Sequence, residues 1–224
     1  MKPIILPKIF QPFYCKDLIR LGKDNDGGYL VNKKDIIKSK KLVGLGIRDD
    51  WSFEQDFTKI HDCPVAAYDG EDLQENKISL KSFFRKDKVF INKNIGNKEN
   101  EIKFPSIVEK GCFLKCDIEG SEYDILDDII RYTKYFTGIV IEFHEIQNYG
   151  NFNSLTNFMS KIDQKLVHVH VNNWDFFIRD QSYVPQVIEL TFSSSSNIEL
   201  KEVKLPHKLD MPNCSDRDDF TIIF

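Results

Sequence analysis

The chain has few cysteines, and none of the five stands in a C-x-x-C pair. Cys15, Cys63, Cys112, Cys116 and Cys214 are odd in number and scattered, which argues against a disulfide framework and predicts reduced thiols. A surplus of positive charge is missing too: 31 Lys and Arg against 35 Asp and Glu leave a formal net charge of −4. A general nucleic-acid binder usually carries a basic excess, so no nucleic-acid partner is expected from this balance. No stretch of 18 apolar residues occurs, and Pro3, Pro7 and Pro12 interrupt the mildly apolar start. Neither a membrane span nor a signal-peptide core is expected, hence a soluble cytoplasmic chain without stable membrane insertion. Internal repeats are absent, and low complexity is confined to the SSSS run at 193–196, which predicts a surface loop.

What remains is an ordinary globular composition, 41% hydrophobic over 224 residues, enough for one sizeable core. Apolar runs at 41–47, 64–69, 89–96, 112–118, 138–146 and 165–173 read as strands, with two more extended runs near the end. Amphipathic stretches separate the earlier ones. Phe53, Phe57 and Ile60 recur at helical spacing behind a Ser52/Gln55 capping box. Ser121 with Asp124 opens a helix expected to bury Ile125, Ile129, Tyr132 and Phe136. Alternating strands and helices predict an α/β fold: a doubly wound sheet of about seven strands, mostly parallel. The late strands have no strong helix between them, which predicts an antiparallel edge. Residues 1–40 read as a segment packing on a core domain of 41–224.

In such a sheet ligands bind beyond the carboxyl ends of the strands. Gly44 and Gly46 end the first sheet strand, where bare backbone lets a ligand come close. Asp69 ends the second, twenty-three residues after Gly46, a spacing at which a carboxylate commonly holds ribose hydroxyls. Asp49 and Asp50 would attract an ammonium and repel a pyrophosphate, while the helix start near Ser52 could hold a carboxylate. A ribose, an ammonium and a carboxylate without phosphate describe S-adenosylmethionine.

Lys115, Asp117 and Glu119 alternate along the fourth strand, so all three project to one side at its carboxyl end. Glu142 with His144, and His168 with His170, lie at the ends of the strands that follow. His144 or His170 is a candidate general base, and Asp117, Glu142, His144 and His170 together offer an oxygen-and-imidazole metal site. Lys115 is expected to pair with a neighbouring acid, Trp51 to pack, and Arg20 either to be paired or to hold a phosphate. A metal-dependent hydrolase built on the same acids and imidazoles, and a non-catalytic binding module on the same scaffold, stay open.

The stretch "LKCDIEGSEYDIL" (114–126) resembles a signature of FkbM-type S-adenosylmethionine-dependent methyltransferases. "RLGKDNDGGYLV" (20–31), "GLGIRDDWSFE" (44–54), "VHVHVNN" (167–173) and the ending "LPHKLDMPNC…DDFTIIF" resemble its methyltransferase-like branch. This resemblance implies the seven-stranded class I methyltransferase sheet and cofactor contacts at Gly44, Gly46, Ser52, Asp69 and Asp117, with Asp26 of "DGGY" close by. Many class I enzymes have an acid two residues before the first glycine and a third glycine two after the second. Here Leu42 and Arg48 hold those places, so the methionyl amino group would turn to Asp49, Asp50 or Asp117. The resemblance further implies O-methylation of a sugar or sugar-nucleotide hydroxyl, as in capsule or lipopolysaccharide synthesis. Some such sugar methyltransferases need a divalent metal, and a homodimer stays open.

Overall fold

A computed structural model describes residues 3–71, 77–179, 182–196 and 198–224. The first ordered hairpin pairs β1 (Leu18–Gly22) with β2 (Gly28–Asn32). Its chain reverses at Gly22 and Gly27, whose φ of +96° and +82° suit residues without a Cβ. The main sheet then collects β3 (Lys41–Leu45), β4 (Val65–Tyr68), β5 (Lys88–Ile91), β6 (Cys112–Cys116), β7 (Phe136–Phe143), β8 (Lys165–Val171) and β9 (Ile188–Ser193).

Seven strands stand in the order β8-β9-β7-β6-β3-β4-β5, with β9 antiparallel to both neighbours and all other pairs parallel. This is the class I methyltransferase sheet. The order has a local cause. The helices are α1 (Lys33–Lys38), α2 (Ser52–Ile60), α3 (Lys77–Phe83), α4 (Leu126–Arg131) and α5 (Tyr149–Lys161); α2 follows β3 and α5 follows β7, so those strands return in parallel. Among the described residues no helix stands between β8 and β9; the chain turns back and inserts antiparallel at that side of the sheet.

The sheet is buried on both faces. On one, Val43, Leu114, Ile139 and Leu190 pack beneath α5 residues Leu155 and Phe158. On the other, Leu42, Phe113 and Val140 meet Phe53 and Phe57 of α2 with Tyr29 and Val31 of the hairpin. A smaller four-stranded sheet ties Ile4–Ile5 to Ser182–Pro185 and Ile222–Ile223, so the two ends of the chain are paired. No helix among the described residues is long and apolar enough to cross a membrane.

Three local expectations change. The helix after β6 is shorter than its apolar spacing suggests: a 3-10 turn, Ser121–Asp124, precedes α4 (Leu126–Arg131). Ser121 makes no capping hydrogen bond, and Phe136 opens β7 instead of extending the helix. The serine run is only half a surface loop: Ser194 and Ser196 are exposed, but the other two are not. Ser193 ends β9 and Ser195 is buried, its Oγ donating to Asp35 Oδ1 at 2.6 Å. Their hydroxyls satisfy buried polar groups that an apolar residue would leave orphaned.

Candidate active site

Strand register sets the site. Leu45 pairs with Cys116 and Cys116 with Ile141, so the next residues, Gly46, Asp117 and Glu142, form one row at the carboxyl rim. Glu142 pairs in turn with Glu189, and Glu189 with His170. On the other side Tyr68 pairs with Leu45, which puts Asp69 beside Gly46. The rim opens into a cleft of about 480 Å³ lined by Asp26 and Gly27 of the hairpin, Gly46, Asp50, Asp69, Asp117, Glu119, Glu142 and His144. That volume lies in the range of small-molecule sites.

Gly46 is fixed by contact and by backbone. Its φ is +71°, and a Cβ there would stand 1.5 Å from the Asp117 carbonyl oxygen. Lys115 Nζ donates to the Gly46 carbonyl at 2.5 Å and to Asp117 Oδ2 at 3.2 Å, so this buried lysine joins β3 to β6. Asp69 is already engaged by the loop it faces, accepting from Arg48 N at 2.7 Å and Glu71 N at 2.8 Å. Asp50 Oδ1 accepts from Ser52 N, while Lys23 stands 3.4 Å from Oδ2.

The acceptor side of the cleft is a knot of acids around one imidazole. Tyr29 Oη lies 2.9 Å from Asp117 Oδ2 and 2.7 Å from Glu142 Oε2, so its single proton is shared between the two acids. His144 Nδ1 lies 2.9 Å from Oε1 of the fully buried Glu122, and its Nε2 is 3.5 Å from Glu119, 3.8 Å from Glu142 and 3.9 Å from Asp117. Burial alone would lower the His144 pKa, but the hydrogen bond and charge of Glu122, with Glu142 and Asp117, raise it to about 9. At neutral pH this imidazole is protonated. Burial first, then the charges of Asp117 and Glu189, pushes the Glu142 carboxyl well above its ordinary value. Asp117, Glu119 and His144 also offer donor atoms within 4.8 Å of one another.

Several expected site residues stand elsewhere. His170 is outside the cleft lining: Nδ1 lies 3.2 Å from Glu189 and Nε2 3.0 Å from Asp219. Both as a base and as a metal ligand it is corrected, because its two nitrogens are held by buried carboxylates. His168 is likewise structural, with Nε2 2.9 Å from Asp210. Gly44 is inside β3 and makes room for Glu54, whose Oε1 would be 2.6 Å from a Cβ there. Ser52 does not line the cleft, and its Oγ is buried without a partner. The capping-box reading of Ser52 is corrected: Ser52 is the first helical residue, the N-cap Trp51 has no side-chain cap, and Asp50 accepts from Ser52 N. Arg20 holds no phosphate: it donates to the carbonyls of Gly28, Lys23 and Asn25, stapling the hairpin. Trp51 packs edge-on to Phe84, as expected. The residues missed were Tyr29 and Glu122, both present in the quoted motifs, "DGGY" and "EGSE".

Glu54 lies under the cleft floor, buried, with neither carboxylate oxygen hydrogen-bonded. Burial raises its pKa to about 7, partly offset by Lys115. The folded chain therefore keeps this proton up to about pH 7, whereas the unfolded chain releases it near 4.3. Stability contributed by the protonated form is lost as pH rises through that window. Glu54→Gln is expected to melt several degrees above the parent at pH 8 and to converge on it towards pH 5. Thermal scans across that range test this, and an equal shift at both pH values would contradict it.

No protein-family model matches the chain, and no curated protein does. Among solved structures, the chain is similar to the fibrillarin/Nop5p complex, with 13% identity, a TM-score of 0.47, and 70% of this chain and 73% of that one covered. A putative RNA methyltransferase from Pyrococcus horikoshii gives 11% identity and 0.45, over 72% and 76%. The hMettl16 catalytic domain in complex with a MAT2A 3′UTR hairpin gives 9% and 0.42, over 76% and 69%. The strand order, not these likenesses, assigns the fold. They do overturn one expectation. Two of these proteins are described as RNA methyltransferase or RNA-bound, so a nucleic-acid partner is not excluded by net charge, and that exclusion is withdrawn.

Proposed function

We propose that this chain is an S-adenosylmethionine-dependent O-methyltransferase of FkbM type, acting on a sugar hydroxyl. The observation that carries it is the row at the sheet rim: bare Gly46 at the centre, Asp69 to one side, Asp117 with His144 to the other. The residues present fit the cofactor. Asp69 would hold the ribose, Gly46 would let the methionyl part lie against backbone, and Asp117 or Asp50 would meet the ammonium. Asp26 closes that end from the hairpin, where Asn213 donates to it at 3.1 Å. Residues 1–40, which include the hairpin, serve this domain in the proposal.

When bound, S-adenosylmethionine supplies a methyl group on an electron-poor sulfur. The chain's task is to bring an oxygen in line with that carbon and to lower the cost of removing its proton. The carboxylates of Asp117 and Glu119 are the proton acceptors on the acceptor wall, and His144, expected as a base but protonated here, supplies positive charge beside them. With the cofactor bound, Asp117 or Glu119 would take the hydroxyl proton as the methyl group passes to the oxygen, and S-adenosylhomocysteine would leave.

A transfer assay with methyl-labelled cofactor tests the reading against free sugars, nucleotide sugars, glycans and RNA. Label is expected on a sugar hydroxyl, falling about 100-fold or more in Asp69→Ala, with a thermal melt on the same preparation to separate lost binding from the two lost backbone hydrogen bonds. Label on nitrogen or carbon, or none on any acceptor, would contradict it.

A further inference from the structure

We infer that Asp117, Glu119 and His144 form a divalent-cation site on the acceptor wall of the cleft. The three come from the ends of two adjacent strands, β6 and β7, and their donor atoms converge within 4.8 Å. A cation about 2.1–2.2 Å from each donor puts neighbouring donors roughly 3.0–3.8 Å apart. The imidazole Nε2 is 3.5 Å from Glu119 Oε2 and 3.9 Å from Asp117 Oδ1, at or just beyond the upper end of that range.

The atoms behind the donors are tied down, as they are around bound metals. His144 Nδ1 is held at 2.9 Å by Glu122, which is 0% exposed. The same Glu122 oxygen accepts from Ile118 N and Gly120 N, so one buried carboxylate orients the histidine and shapes the turn that carries Glu119. Tyr29 and Lys115 occupy Asp117 Oδ2, leaving Oδ1 turned to the imidazole. A fourth group points at the same place. Glu142 is 6% exposed, Tyr29 holds its Oε2, and its Oε1 faces His144 Nε2 at 3.8 Å with no hydrogen bond from any described residue.

Two carboxylates and an imidazole suit Mn²⁺ or Mg²⁺ better than a thiophilic ion. Glu119 is 70% exposed on its side chain, so the open side of the site faces the cleft, where a hydroxyl pair of the acceptor would complete the shell. That last role, activation of the acceptor hydroxyl, rests on the methyltransferase reading; cation binding does not. This site replaces the expected set of Asp117, Glu142, His144 and His170: Glu119 enters and His170 leaves.

The test uses the full chain, freed of metal with chelator, titrated with MnCl₂ and followed by calorimetry and by loss of the free Mn²⁺ spin-resonance signal. One equivalent is expected to bind. Glu119→Gln and His144→Gln should each weaken it at least tenfold, and Glu122→Gln about tenfold. Glu119 is exposed, so its variant reports on binding without a folding penalty. Glu71→Gln, an equal loss of charge on the cleft rim, should bind Mn²⁺ like the parent. No saturable binding, or equal weakening in Glu71→Gln and Glu119→Gln, would overturn the site. Mn²⁺ binding without cofactor binding would leave it standing and sink the methyltransferase reading instead.

Discussion

Replacing Gly46 with alanine is expected to cost about 3 kcal/mol or more and to abolish cofactor binding, the upper end of what one side-chain change does. Two independent effects add. Residues with a Cβ pay roughly 1–2 kcal/mol at such positive φ. The new carbon would also overlap the Asp117 carbonyl, 1.5 Å away, which is backbone and cannot rotate aside. Relief requires pushing the β3 end from the β6 end. That movement breaks the Lys115 bond to the Gly46 carbonyl and widens the row on which Asp69 and Asp117 stand. Denaturant melts and calorimetry on the same preparation check both parts. Gly44→Ala is the informative partner: its Cβ meets the flexible Glu54 side chain, so it should destabilise less and leave the cleft intact.

The second large effect is expected at Asp117. Asp117→Asn preserves size but replaces a charge met by Lys115 at 3.2 Å, by Tyr29 at 2.9 Å and by the His144 imidazole. Turnover should fall about 10²–10⁴-fold, the range for losing a positioned proton-transfer or charge-stabilising group. The melting temperature should shift little by comparison, because the amide still accepts from Tyr29 and Lys115. Tyr29→Phe separates position from charge. It frees Asp117 and Glu142 from their shared hydroxyl without removing an acid, so a loss of about tenfold is expected. An Asp117→Asn variant as active as the parent would remove this residue from the chemistry.

Much of the fold was legible because its signals are local. Strand runs such as 41–47 and 165–173 are apolar and short, and the missing helix between β8 and β9 already implied an antiparallel return. Helix limits were less legible: Gly120 in the left-handed region and a 3-10 turn broke what spacing alone joined from Ser121 to Phe136. The serine run misled for a related reason, since hydroxyls that look solvent-facing in sequence serve buried Asn32 and Asp35.

The site divided along similar lines. Strand-end acids were found because alternation and rim position follow from the period of a strand, and Asp69, Asp117 and His144 do share the cleft. Side-chain traffic was not legible. His168 and His170 face carboxylates supplied by Glu189, Asp210 and Asp219, two of them in the C-terminal segment. Partners so distant in sequence leave no periodic mark on the strand. Gly44 was assigned to the ligand, whereas the space beside it is filled by Glu54 from the following helix.

Titrating the wild-type chain with S-adenosylhomocysteine in a calorimeter, before any acceptor is known, probes the rim most directly. A single saturable site with micromolar affinity, lost in Asp69→Ala and Gly46→Ala but kept in Gly44→Ala, is the expected result. Absence of heat from a cooperatively folded protein would contradict the whole account of what gathers at the strand ends.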